Sequence, residues 1–150
     1  MIDMDYASLG LKCGLEIHQQ LSTRKLFCNC PSIIRDDQPS FEVKRVLRAS
    51  AGETGQIDAA AAAESTKKKH FLYQGYQDAT CLVELDEEPP HAMDKKALHA
   101  TLMMCKLVGS KVVDQIRVMR KTVIDGSNTS GFQRTSLVGL GGSIGDVGIE

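Results

Sequence analysis

Leu9-Gly10-Leu11-Lys12-Cys13-Gly14-Leu15-Glu16-Ile17-His18 places an apolar residue at every second position. That is the period of a strand with one face toward a core and one toward water. It predicts a strand over 9–18 with Leu9, Leu11, Cys13, Leu15 and Ile17 turned inward. Glu16 and His18 then share the outer face, with Gly14 beside them. A carboxylate and an imidazole held on one rigid face suit a divalent cation or a proton transfer. The glycine leaves room for a ligand to approach the backbone. Two ordinary polar groups on a solvated strand face is the competing reading.

Outward from this stretch, Cys28-Asn29-Cys30-Pro31 and Asp36-Asp37-Gln38-Pro39 mark a connection, and Phe41 to Arg48 reads as a strand. Residues 51–55 form a loop. Asp58 is placed to cap a helix from Ala59 to Lys69, built on alanine and ending in three lysines that suit its dipole. Those lysines read as a solvated helix end in preference to an RNA contact. His70–Tyr76 and Thr80–Leu85 read as two strands around a turn at Gln77-Asp78. Pro89-Pro90 stops regular structure. A second helix runs from its cap at Asp94 to Gly109, with Leu98, Leu102, Cys105 and Val108 on one face and Met103 and Met104 packed beside it. His99 sits at its boundary. Val112 to Ile124 reads as a long strand, 125–131 as a loop, Phe132 to Val138 as a strand, and 139–143 as a turn. Asp146 to Glu150 begins a further strand with no evident partner, as in a piece of something longer. This order does not alternate regularly. It predicts an α+β fold, a largely antiparallel sheet with helices on one face.

The chain of 150 residues is long enough for one domain, and its 42% apolar and 25% charged content is that of an ordinary globular protein. Net charge is −1 and the pI about 6.4, so the basic footprint of a phosphate-gripping nucleic-acid module is lacking. No apolar run approaches the roughly 20 residues of a membrane span. The start, Met1-Ile2-Asp3-Met4-Asp5, has no signal-peptide anatomy. Five irregularly spaced cysteines argue against a disulfide framework and for a reducing cytoplasm.

Three constellations carry chemistry. Glu16 with His18 is the first. The second is Arg120-Lys121 leading into Asp125-Gly126-Ser127-Asn128-Thr129-Ser130-Gly131, with Arg134 close by. Small residues turn backbone amides toward one point, hydroxyls add donors, and the cations attract an anion such as a phosphate. A polar hairpin loop is the plainer alternative, and the ending of a Walker loop is missing. The third is sulfur. Cys28 and Cys30 offer thiolates to zinc and Cys81 a third, with His91 or His70 as a weak fourth; a tetrahedral site needs four. Lacking a good fourth ligand, the chain is expected to carry little zinc. The acidic turn Glu84 to His91 reads as solvated.

Taken together, Gly14–Leu21, Lys25–Pro31, Leu47–Gly55, Cys81–Pro90 and Met119–Thr135 resemble the synthetase subunits of the tRNA-dependent amidotransferases, the GatB/GatE family, and its archaeal type (GatE) more than its bacterial type (GatB). The resemblance covers nearly the whole chain. It implies an ATP-dependent ligase that converts misacylated Glu-tRNA(Gln) to Gln-tRNA(Gln) through γ-glutamyl phosphate. Ammonia comes from an asparaginase-like partner protein (GatD). It further implies a cradle domain like that of glutamine synthetase and the guanido kinases, of which 1–150 is the N-terminal part, with tRNA-binding domains later in the chain. Carried over, Glu16 and His18 are catalytic magnesium ligands, and Arg120, Lys121, Ser127, Asn128, Thr129, Ser130 and Arg134 line the nucleotide or acyl-phosphate pocket. Bacterial-type relatives follow the Cys-x-Cys with a Cys-x-x-Cys. Here Cys81 stands alone, so the resemblance speaks against zinc. The 150 residues by themselves are expected to be inactive, because further metal-binding glutamates lie in a later segment of the family. Two other readings compete: a zinc-bearing binding module without catalysis, and a glutamine synthetase-like ligase acting on a free carboxylate.

Overall fold

A computed structural model describes residues 5–6, 8–10, 12, 14–47, 49, 55–122 and 131–149. Strand β1 (Phe41–Val46) pairs antiparallel with β2 (His70–Gly75), Phe41 opposite Gly75 and Val46 opposite His70. Period two holds in both: Phe41, Val43 and Arg45 are more buried than Glu42, Lys44 and Val46, and Phe71 and Tyr73 more than Leu72 and Gln74. Gly75 is required by close approach, since a Cβ there would run into the Phe41 ring. Gly75→Ala is expected to lower stability by about 1–3 kcal/mol, the usual range for overpacking, measured by thermal or urea unfolding.

Between these strands lies α1 (Ala59–Thr66), where the Asp58 side chain accepts the Ala61 N–H at 3.0 Å. The helix stops before the lysines. Lys67 caps it, and Lys67 and Lys69 both fold back onto Glu64, so the run is a solvated helix end. Helix α2 (Lys95–Val108) begins at Asp94, whose side chain accepts the Ala97 N–H at 2.8 Å. It ends at Gly109, in the left-handed region at φ 71°, with its N–H donated to the Cys105 carbonyl. Ala97 and Cys105 are buried, but Met103 and Met104 are exposed, against the expectation that they pack. At about 100° per residue Met103 falls roughly 140° from Leu98 on the helix wheel, away from the covered face. Gly109→Ala is expected to cost about 1 kcal/mol in urea unfolding, because alanine resists φ above zero.

The remaining strands are short. β3 (Lys111–Val112) pairs with β6 (Gly139–Leu140), β4 (Val118–Thr122) with β5 (Phe132–Ser136), and β7 (Ser143–Ile144) with β8 (Val147–Gly148), all antiparallel. The strand expected from Val112 to Ile124 is therefore two pieces, broken over 113–117, with 123 and 124 outside the described residues. The strand expected at Asp146 has a partner after all, in β7. The described strands form four two-stranded ribbons instead of one sheet, so the α+β class holds but not the single layered sheet. Among the described residues no helix is long and apolar enough to cross a membrane.

Two further expectations fail. Residues 14–20 form no strand, and Leu15 and Ile17 are 95% and 83% exposed. Alternation marks a face that a sheet could bury, but a strand exists only by hydrogen bonding to a neighbour, and no described segment supplies one. Thr80–Leu85 is also not a strand. Residues 82–86 form a tight turn, whose packing with the 25–30 turn gives the main apolar cluster: Phe27, Cys28 and Val83, with Cys30, Cys81 and Met93 around them.

Candidate functional site

Glu16 and His18 lie side by side. Glu16 Oε1 is 3.2 Å from His18 Nε2, and the side chains are 86% and 74% exposed. Neighbouring corners of an octahedron with bonds of about 2.1 Å are roughly 3.0 Å apart, so the spacing suits two adjacent magnesium ligands. The pair is held by its own contact in irregular backbone, not by the rigid strand that the alternation predicted. Among the described residues no third acidic, histidine or cysteine side chain joins it. The pair fits the ion as part of a coordination shell.

The cationic residues are brought together, though not in an open cradle. Arg120 on β4 stands opposite Arg134 on β5. Their guanidinium carbons lie 5.2 and 5.1 Å from the centre of the Phe132 ring. Both guanidiniums hold Asp86: Arg120 Nη2 donates to Oδ2 at 2.7 Å and Arg134 Nη2 to Oδ1 at 3.2 Å. Arg134 also donates to the carbonyls of Val83 and Glu88. Burial works against the Asp86 carboxylate, but the Arg120 hydrogen bond and the charges of Arg120, Arg134 and Arg45 together hold its pKa below the ordinary value. Arg45, next to the last residue of β1, is buried and bonds Glu87 through Nη1. Arg120 and Arg134 thus frame the site, and Lys121 is exposed. Ser127, Asn128, Thr129 and Ser130 lie outside the described residues.

Local backbone chemistry explains why Asp86 sits where it does. The Glu84 carboxylate reaches back to accept the Cys81 N–H at 3.0 Å, as the acidic half of a capping box does. The Glu87 N–H donates to the Leu82 carbonyl at 2.9 Å and the Asp86 N–H to the Val83 carbonyl at 3.3 Å. With Asp86 at φ 59°, this is a Schellman closure. Asp86 therefore occupies the left-handed position that aspartate tolerates better than most residues. The spacing Cys81-x-x-Glu84 was the sequence signal for this turn. Alternation of Cys81, Val83 and Leu85 with Leu82 and Glu84 obscured it.

The same turn carries a thiol cluster. The Sγ atoms of Cys28, Cys30 and Cys81 and a carboxylate oxygen of Glu84 all lie within 4.8 Å of one another. Cys28 Sγ is 3.3 Å from Glu84 Oε1, and Lys25 Nζ is 2.7 Å from that same oxygen. Burial first, then the Glu84 carboxylate, pushes the Cys28 thiol well above its ordinary pKa; burial and the hydrogen bond with Cys81 raise Cys30. Such thiols stay protonated at neutral pH without a cation and are poor nucleophiles. The two histidines weighed as a weak fourth ligand do not join the set: His91 bonds Glu88 at 2.6 Å, and His70 is exposed on β2. Sequence reasoning missed Arg45, Glu84 and Asp86.

An exposed carboxylate–imidazole pair and an arginine-rich strand pair thus sit on a small α+β frame. Comparison with known proteins makes this specific. The chain belongs to the GatB/GatE catalytic domain family, whose model matches residues 11–148. It is 56% identical over 153 residues to the E-type subunit of the glutamyl-tRNA(Gln) amidotransferase of Methanococcus maripaludis strain C5, covering 99% of this chain and 24% of that protein. The corresponding protein of Pyrobaculum neutrophilum is 55% identical over 152 residues, covering 98% of this chain and 25% of its own length. That of Methanococcus vannielii is 59% identical over 144 residues, covering 95% and 23%. The chain spans about a quarter of the length of these relatives.

Proposed function

We propose that this chain contributes part of the synthetase site of an ATP-dependent amidotransferase that converts Glu-tRNA(Gln) to Gln-tRNA(Gln). The observation that carries this reading is the identity of 55–59% to E-type glutamyl-tRNA(Gln) amidotransferase subunits over nearly the whole chain. A γ-carboxylate oxygen of the tRNA-borne glutamate attacks the γ-phosphorus of ATP, and ADP leaves. The nitrogen lone pair of ammonia then attacks the acyl carbon, phosphate departs with the C–O bonding pair, and the nitrogen loses a proton to give the amide. The ammonia comes from an asparaginase-like partner protein. Glu-tRNA(Gln) is gripped by parts of the whole protein outside these residues, which complete a cradle-type sheet in the cytoplasm.

Glu16 and His18 hold magnesium, which supplies charge neutralisation at the phosphates. Arg120 and Arg134 form the cationic wall of the acyl-phosphate pocket together with Ser127, Asn128, Thr129 and Ser130, and Lys121, next to Arg120 on β4, extends from the other face of the strand. Because Asp86 already engages both arginines, their part is to orient the wall. The names of the relatives favour a tRNA-borne carboxylate over the free one of a glutamine synthetase-like ligase. The thiol cluster alone favours a non-catalytic zinc module.

The test is formation of Gln-tRNA(Gln) from Glu-tRNA(Gln), ATP, magnesium and ammonium by the whole protein with and without its ammonia-supplying partner. Product that requires ATP and magnesium is the expected result, with no product from the 150-residue chain alone. Product without ATP, or amidation of free glutamate in place of the tRNA ester, overturns the reading.

A further inference from the structure

We propose that Cys28, Cys30, Cys81 and Glu84 bind one zinc ion, as a closed structural centre that ties the 25–31 turn to the 81–87 turn. The case against zinc in the sequence was the lack of a fourth ligand, and neither histidine supplies it. The tight turn does, by bringing Glu84 onto the three sulfurs. Two sulfurs bound at about 2.3 Å to one tetrahedral zinc are roughly 3.8 Å apart, so four donors within 4.8 Å close on an ion by side-chain rotation and a small inward shift. Three thiolates select a soft, four-coordinate ion over magnesium or calcium.

The surroundings are those of a built site. Glu84 Oε2 is fixed by the Cys81 N–H, which leaves Oε1 directed at Cys28. Hydrogen bonds of this kind orient a ligand before metal arrives. Three thiolates and a carboxylate around a dication leave two negative charges, and the Lys25 ammonium beside Oε1 offsets one of them. The location is also where a staple is most needed. The main apolar cluster consists of the three cysteines themselves with Phe27, Val83 and Met93, and among the described residues no large side chain is fully buried. A small domain with so modest a core gains from a metal cross-link. Two residues beyond Glu84 stands Asp86, which holds Arg120 and Arg134, so zinc loading also fixes the turn on which the arginines rest.

Zinc binding at these four residues is independent of the ligase reaction and is tested without ATP or tRNA. The chain purified under reducing conditions is expected to hold about one zinc per chain. Cobalt(II) in its place is expected to give a thiolate-to-metal charge-transfer band and the intense visible bands of a tetrahedral ion. Glu84→Gln keeps an acceptor for the Cys81 N–H but removes the charge, and should weaken zinc binding at least tenfold. Cys81→Ser should remove the tetrahedral spectrum. As a check that needs no variant, zinc should protect Cys28, Cys30 and Cys81 together from iodoacetamide and leave labelling of Cys105 unchanged. An octahedral cobalt spectrum without a thiolate band, or labelling of the three thiols at equal rates with and without zinc, overturns the proposal.

Discussion

Asp86→Asn lowers the unfolding free energy of this chain by about 2–3 kcal/mol, measured in urea at neutral pH. The side chain is 11% exposed and receives two guanidiniums, so asparagine keeps the shape and tolerates φ 59° while removing the negative charge that Asp86 offers to both. Removing one partner of a largely buried ion pair costs several kcal/mol, and the partial exposure of Arg120 moves the figure toward the lower end. The pH dependence has a definite sign. Arg120 and its neighbours lower the folded pKa of Asp86, so the stability it contributes is complete above the unfolded value of about 4. That contribution is lost as pH falls from there through the lower folded value. The stability gap between wild type and Asp86→Asn should therefore be constant from pH 5 to 8 and close in strong acid. A gap that widens on acidification, or no loss at neutral pH, refutes the role given to Asp86.

Glu16→Gln, made in the whole protein, has the other large effect: ATP turnover at a fixed low magnesium concentration falls about a hundredfold, within the range for a lost charge at a phosphoryl-transfer site. High magnesium recovers part of the loss. The side chain is 86% exposed and pairs with His18, itself largely exposed, so the melting temperature stays unchanged. The separation of the two readouts is the point, because a structural residue would move both. Unchanged magnesium dependence sinks the assignment. His18→Gln should act in the same direction and less strongly, since magnesium prefers oxygen to imidazole nitrogen.

The two variants separate a covered frame from an exposed pair. Asp86, Arg120, Arg134 and Arg45 are of low exposure and, with the more exposed Glu87, form a network that joins β1, the 81–87 turn and the β4–β5 pair. Glu16 and His18 lie in exposed, irregular backbone. Such an arrangement fixes the arginines in place while the Glu16–His18 pair remains accessible.

What the sequence determined by itself was governed by neighbours along the chain. Asp58, Asp94 and Gly109 end their helices where expected, because a cap needs only N–H and carbonyl groups within a few residues. β1 and β2 were legible from period two and their flanking turns. The family, too, was legible in long runs of residues from Gly14 to Thr135. Tertiary structure alone decided the rest. Residues 14–20 show a strand's alternation and form no ladder, since a ladder requires a second segment that periodicity cannot supply. Cys81–Leu85 also alternates, yet it closes into a turn because the Glu84 carboxylate satisfies the Cys81 N–H locally. That closure brings Glu84 onto Cys28 across 56 positions of sequence and sets Asp86 between Arg120 and Arg134. Contacts at such separations depend on how the chain packs, and no spacing within a single segment encodes them.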